Sequence, residues 1–229
     1  MTSFYNTKTT VETTRSGRTA YRYEGTLDIQ DSDRICPKCG KKMHVHGGHP
    51  IAVQHLNVGG SFGYLSFRRN QLECPHCGAT VMQSVPFMAD HHRITKELLQ
   101  YTKDLLATGT YTLKQVSEIT GLGKNTVKAI DLKRLQDKYT IDGQTLIKPE
   151  QTTRFLGIDE FKLHDGHRYA THIIDMLTGH ILWISHGKKK QVVYDFIKHI
   201  GLEWMDNVEA VACDMNSDFQ EAFEEKCPH

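Results

Sequence analysis

The sequence contains no run of about 18 apolar residues, which excludes a membrane-spanning helix. Its opening, Met1-Thr2-Ser3-Phe4-Tyr5-Asn6, has neither a basic segment nor an apolar one, so no secretory signal is expected. It lacks internal repeats of 20–50 residues, which argues against a solenoid or propeller. Excess charge of one sign is also missing, with 28 Lys/Arg against 27 Asp/Glu. What remains is 229 residues, 38 % hydrophobic and 24 % charged, a globular balance sufficient for one large domain or two to three small ones. Six cysteines without an export signal point to metal binding or free thiols rather than a disulfide framework. A cytoplasmic protein is expected.

The near-zero net charge hides an asymmetry. Residues 1–150 hold 20 Lys/Arg against 14 Asp/Glu, whereas residues 151–229 hold 8 against 13. A basic first half joined to an acidic second half suggests an anion-binding module attached to a domain of different work, with chance surface variation as the alternative.

One short segment occurs twice. Cys36-Pro37-Lys38-Cys39-Gly40 is echoed by Cys74-Pro75-His76-Cys77-Gly78. A Cys-x-x-Cys-Gly segment makes a tight turn that aims two thiolates at one point, with glycine relieving the crowded backbone. Two such turns complete the tetrahedral sulfur shell that Zn²⁺ prefers, so Cys36, Cys39, Cys74 and Cys77 are expected to hold one structural zinc. Four unrelated thiols are the alternative. The residues between the knuckles fit a β-ribbon insert, with Phe62 to Arg69 leading into the second knuckle. His44, His46 and His49 lie in that insert with no carboxylate near them in sequence, and a polar loop is expected there rather than a catalytic metal site. Cys213 and Cys227 lack a Cys-x-x-Cys partner and read as ordinary thiols. Upstream, Thr7 to Thr14 is expected to be frayed or a weak strand, and Tyr21 to Ile29 a strand.

Helical patterns follow. Thr95 to Thr108 is amphipathic, with Leu98, Leu99, Leu105 and Leu106 on one side and Gly109 as a stop signal. Leu113 to Thr120 and Lys124 to Lys133 form two short helices around Gly121-Leu122-Gly123, with Val116, Ile119, Val127 and Ile130 turned inward. A glycine-containing turn between two such helices is the helix-turn-helix pattern. Lys124, Asn125, Thr126 and Lys128 stand near the start of the second helix, where the base edges of a major groove would be reached, and Arg68 or Arg69 would assist from the ribbon. Residues 113–135 carry five Lys/Arg against two Asp/Glu, which suits a phosphate backbone. An αα-hairpin that only packs internally is the alternative.

A polar stretch from Asp142 to Gln151 reads as a linker. Beyond it, Arg154 to Phe161, Arg168 to Met176 and Ile181 to His186 read as strands, Gln191 to Ile200 as a helix, Val208 to Cys213 as a buried strand and Ser217 to Lys226 as a helix. This is the opening of an α/β domain. Asp159 lies in the first strand and Asp214 directly follows the fourth. If those strands are parallel neighbours, both carboxylates emerge at one end of the sheet, where such folds bind ligands and where Mg²⁺ finds oxygen donors. Glu160 would point to the opposite face.

In this order CPKCG…CPHCG, YTLKQVSEITGLGKNTVK, FLGIDEFKLHDGHRYATHIIDMLTGHILWI and AVACDMNSDF resemble the ISL3-type bacterial insertion-sequence transposases, from about residue 20 onward. The resemblance implies a multidomain α+β protein: an N-terminal zinc ribbon, a helix-turn-helix that recognises insertion-sequence ends, and an RNase H-like DDE domain using Mg²⁺ or Mn²⁺. It places the family's first two catalytic aspartates on Asp159 and Asp214. The family's third acid lies farther downstream than this sequence runs, and Asp218, Glu221, Glu224 and Glu225 follow Asp214 too closely to match it. The RNase H-like domain is therefore expected to be incomplete and inactive alone, a truncation arising from a decayed gene or an interrupted frame.

The expected boundaries are 1–31 for a strand lead-in, 32–90 for the ribbon, 91–140 for the helix-turn-helix, 141–152 for a linker and 153–229 for the catalytic part. Double-stranded DNA is the expected partner, no membrane is expected, the oligomeric state is open, and the protein should be nucleoid-associated. Two other readings compete. One is a non-enzymatic DNA-binding regulator, and the other a stand-alone metal-dependent nuclease that would need a third carboxylate.

Overall fold

A computed structural model describes residues 4–14, 17–164, 166, 168–214 and 217–227. Met1 to Ser3, Met215 and Asn216 of the AVACDMNSDF segment, and Pro228 and His229 lie outside the described residues. The chain divides into two compact units, Met1–Tyr139 and Thr140–His229. No helix among the described residues is long and apolar enough to cross a membrane.

The first unit is built on a five-stranded sheet. Strands β1 (Phe4–Thr13) and β2 (Thr19–Leu27) form an antiparallel hairpin. The Thr-rich lead-in is thus a full ten-residue strand, because β2 supplies the ladder partner that its own composition does not reveal. Strands β3 (His44–Val58) and β4 (Ser61–Glu73) form a long second hairpin turning at Gly59-Gly60. The hairpins join through a parallel β2–β4 pairing, and β5 (Thr80–Met82) pairs with β4. Gln83 is fully buried, accepting from the Asn70 side chain at 2.9 Å and donating to the carbonyls of Leu27 and Asp28 at 3.0 Å each. It thereby fastens the end of β2 to β4.

The three histidines occupy β3, not a loop. His44 stands opposite Glu73 in the ladder, and His46 Nδ1 lies 2.8 Å from the Glu73 carboxylate. Distance along the chain had concealed that carboxylate.

Three helices complete the unit. Helix α1 (Lys96–Ala107) starts at Thr95, whose hydroxyl accepts from the Leu98 amide, and buries Leu98 and Leu106. Helix α2 (Leu113–Thr120) begins with a reciprocal capping box between Thr112 and Gln115 and ends at Gly121, which has φ 75°. Helix α3 (Lys124–Tyr139) continues six residues past Lys133. Val116, Leu122, Val127 and Ile130 from the helical pair meet Ile94, Leu98 and Leu106 in one core.

The second unit holds strands β6 (Phe155–His164), β7 (Arg168–Asp175), β8 (Ile181–His186) and β9 (Ala210–Cys213) in the order β8-β7-β6-β9. The β6–β7 and β7–β8 pairs are antiparallel, and β6–β9 is parallel. Helices α4 (Lys190–Ile200), α5 (Leu202–Met205) and α6 (Ser217–Lys226) bury Val193, Phe196, Ile197, Met205, Phe219 and Phe223 against Leu156, Ile158 and Ile173. Lys190 ties α4 to α6 through Glu221 at 2.5 Å and Glu225 at 2.8 Å. Strand β9 is shorter than its apolar run and only half buried, with Ala210 and Ala212 exposed. Among the described strands it pairs with β6 alone, so it lacks the second neighbour that a central strand receives.

Candidate functional site

Each knuckle turns in the same way. The amide of Gly40 donates to the Cys36 carbonyl at 2.8 Å, and Gly78 to Cys74 at 2.9 Å. Both glycines have φ 68°, a left-handed conformation that a side chain would strain. The amides of Cys36 and Cys74 close the turns on Lys41 and Ala79, each at 2.8 Å. All four Sγ atoms consequently lie within 4.8 Å of one another, and Cys36 and Cys74 are buried. The Cys36–Cys77 and Cys39–Cys74 sulfur separations are both 3.6 Å. A tetrahedron with bonds of about 2.3 Å has edges of about 3.8 Å, so the cluster fits zinc closely.

Electrostatics agree. Burial pushes the Cys36 thiol up, but amide donors from Cys39 and Lys38 and the facing thiols more than offset it, bringing it to about 7. At Cys39 the Lys41 amide favours the thiolate, yet burial and the other three sulfurs outweigh it and raise the thiol to about 12. Crowded thiolates repel one another, and a divalent cation removes that repulsion. The zinc ribbon with its four-cysteine cluster supports a structural zinc.

The helical pair presents a polar end. Lys124, Asn125 and Lys128 are exposed at the start of α3, and Thr126 is half-buried beside them. Arg68 is exposed on β4, whereas Arg69 is partly buried and spends its Nε on the Gln83 carbonyl at 2.7 Å. Residues that sequence patterns did not flag hold this end in place. Arg18 donates to the Glu118 carbonyl at 2.5 Å, Asn57 to Ile119 at 2.7 Å and Gln54 to Thr120 at 2.8 Å. No periodicity announces such contacts, because the acceptors are backbone atoms far along the chain.

In the second unit, Ile158 is the last β6 residue in register with β9, opposite Cys213. The next residues outward are Asp159 and Asp214, and both are exposed. The Asp159 carboxylate accepts from the Glu160 amide at 2.8 Å. Glu160 faces the other way, toward Lys188 at 3.7 Å. His172 is the ladder partner of Asp159 on β7 and packs on Phe161 at 5.7 Å. Oxygen donors of this kind suit Mg²⁺ or Mn²⁺. Among the described residues, only the four cysteines bring three or more ligand atoms together. Glu221, one of the nearby acids in sequence, is engaged by Lys190.

A sulfur-lined ribbon, a helix-turn-helix and an α/β unit thus follow one another along the chain. Three family models match in the same order: the zinc-finger of transposases IS204/IS1001/IS1096/IS1165 over residues 32–77, the helix-turn-helix domain of transposase family ISL3 over 83–135, and the ISL3 DDE transposase domain over 156–229. The chain belongs to the ISL3 family of transposases. It is 28 % identical over 187 residues to the transposase for insertion sequence element IS1001 of Bordetella parapertussis, a match covering 81 % of this chain and 44 % of that one. It is 26 % identical over 197 residues to the transposase for IS1557 of Mycobacterium tuberculosis, covering 85 % and 43 %. The chain therefore spans less than half the length of these relatives.

Proposed function

We infer that the protein takes part in DNA transposition, binding the ends of an insertion sequence through its first unit and contributing two carboxylates of a DDE site from its second. The exposed start of α3, carried by a capped helix-turn-helix on a zinc ribbon, is the observation that supports the reading most directly. Asn125 reads base edges, while Lys124 and Lys128 neutralise phosphates, with Arg68 and Arg69 contributing from β4. Titrating an insertion-sequence-end duplex across a salt series tests this. Replacing Lys124 and Lys128 together by alanine should weaken binding to any duplex and reduce the log–log salt slope by about 2. An unchanged slope would remove this face from the interface.

The strand order, with three antiparallel strands and a fourth running parallel to the first, supports an RNase H-like second unit spanning 153–229. Residues 32–90 then form the ribbon and 91–140 the helix-turn-helix. In that sheet Asp159 and Asp214 would hold Mg²⁺ or Mn²⁺, and a bound ion there stabilises charge on the oxygens exchanged during phosphodiester cleavage. Mn²⁺ binding followed by electron paramagnetic resonance should be lost in Asp159→Asn and in Asp214→Asn. It should persist in Glu160→Gln, because Glu160 faces Lys188. Equal loss in all three would count against the paired aspartates.

A further inference from the structure

The last four carbonyls of an α-helix have no partner inside it and must find one elsewhere. In α2 all four are satisfied, two of them from strand β3 and one by Arg18, which directly precedes β2. Gly121 takes Ser117 through its amide at 2.9 Å. Arg18, Asn57 and Gln54 take Glu118, Ile119 and Thr120 in turn. Gln54 is itself held by its backbone, whose amide donates to Arg93 at 2.9 Å and whose carbonyl accepts from Thr95 at 2.8 Å.

The turn that follows is braced from the same side. A Cβ added at Gly121 would lie 2.5 Å from the Phe62 ring, so aromatic ring and turn backbone are in direct contact. Phe62 is buried, and the Arg18 guanidinium lies over it at 5.4 Å. Three hydrogen bonds and one ring thus hold the end of α2 and the first residue of the turn leading to α3.

We propose that Arg18, Gln54 and Asn57 are positioning residues for DNA recognition, and that by capping α2 from the ribbon sheet they fix the angle at which α3 is offered to the groove. Base readout depends on a pose held to a fraction of an ångström, whereas phosphate attraction tolerates a swing of the helix. Loosening the brace should therefore reduce discrimination between sequences more than it reduces affinity for DNA in general. This inference rests on the DNA-binding reading above, and one of its tests needs no DNA.

The test uses the full zinc-loaded chain with two near-isosteric variants, Gln54→Met and Asn57→Leu, which remove donors while keeping volume. Arg18→Ala is a third variant at an exposed side chain, whose loss does not open the core. Zinc content should stay at about one ion per chain. Amide exchange from Gly121 to Val127 should quicken by roughly tenfold, the scale of one lost hydrogen bond. Affinity for an insertion-sequence-end duplex should fall by a similar factor, while affinity for a scrambled duplex changes by less than about twofold for the two uncharged sites. Unchanged exchange would show that the brace does not hold the turn. Faster exchange with an unchanged ratio of the two affinities would show a purely structural role, and either result overturns the proposal. A parent protein that binds both duplexes equally would overturn base readout itself, a failure visible before any variant is made.

Discussion

Cys74→Ser is expected to reduce zinc from about one ion per chain to essentially none, and to unfold the knuckle end of the ribbon. Cys74 is fully buried, and with Cys36, Met43 and Leu72 it forms a small core against which only partly buried residues such as Ile29, Ala79 and Val81 pack. Serine offers a poorer ligand for a soft sulfur shell and leaves three thiolates facing one another. Zinc contributes on the order of 10 kcal/mol to folding in zinc-finger peptides, so little of this substructure should survive without it. Metal analysis of the purified protein, paired with thiol-reactivity counting, gives the answer. Full zinc content in the variant would dismiss the cluster as the site.

Phe196→Ala should have the largest effect in the second unit. The ring is fully buried on α4, with Trp183 and Trp204 each 6.3 Å away, centroid to centroid. Truncating such a side chain costs about 3–5 kcal/mol through lost transfer energy and the cavity left behind. That is a large fraction of the whole stability of a typical domain, about 5–15 kcal/mol. The only two tryptophans in the chain, Trp183 and Trp204, both lie in this unit, so their fluorescence in urea follows it selectively. The midpoint should move sharply lower while zinc content, a property of the first unit, stays unchanged. A midpoint within experimental error of the parent would mean that the core repacks around the gap.

What the sequence revealed depended on how locally each feature is encoded. Both knuckles were legible because each completes its turn within five residues. The pair α2–α3 was equally plain, since the Gly121-Leu122-Gly123 turn and the apolar spacing of Val116, Val127 and Ile130 all act within a few turns of chain. Paired strands were harder to read. Strand β1 looked weak because its pairing energy resides in β2, and the histidines looked like a loop because β4 supplies their ladder. The polar braces from Arg18, Gln54 and Asn57 were invisible, since a glutamine bound to a distant carbonyl has the same composition as a solvated one. Asp159 and Asp214 fell between these cases. Asp159 lay within one strand and Asp214 just after another, and the parallel β6–β9 pairing puts each one residue beyond the last partners, Ile158 and Cys213.

The parallel pairing of β2 with β4 also constrains the order of assembly. The hairpins β1–β2 and β3–β4 each close over a short stretch of chain, which favours rapid formation. Joining them requires Ala20 to meet Phe62 and Gly25 to meet Phe67, across an intervening segment that includes the whole first knuckle and β3. During synthesis the N-terminal hairpin emerges well before its parallel neighbour exists, and its inner edge stays unpaired until β4 leaves the ribosome. The second knuckle follows β4 directly, so the sheet can close and the four sulfurs can converge at nearly the same moment. Capture of a metal by all four sulfurs therefore cannot precede the synthesis of Cys74 and Cys77, which follow β4.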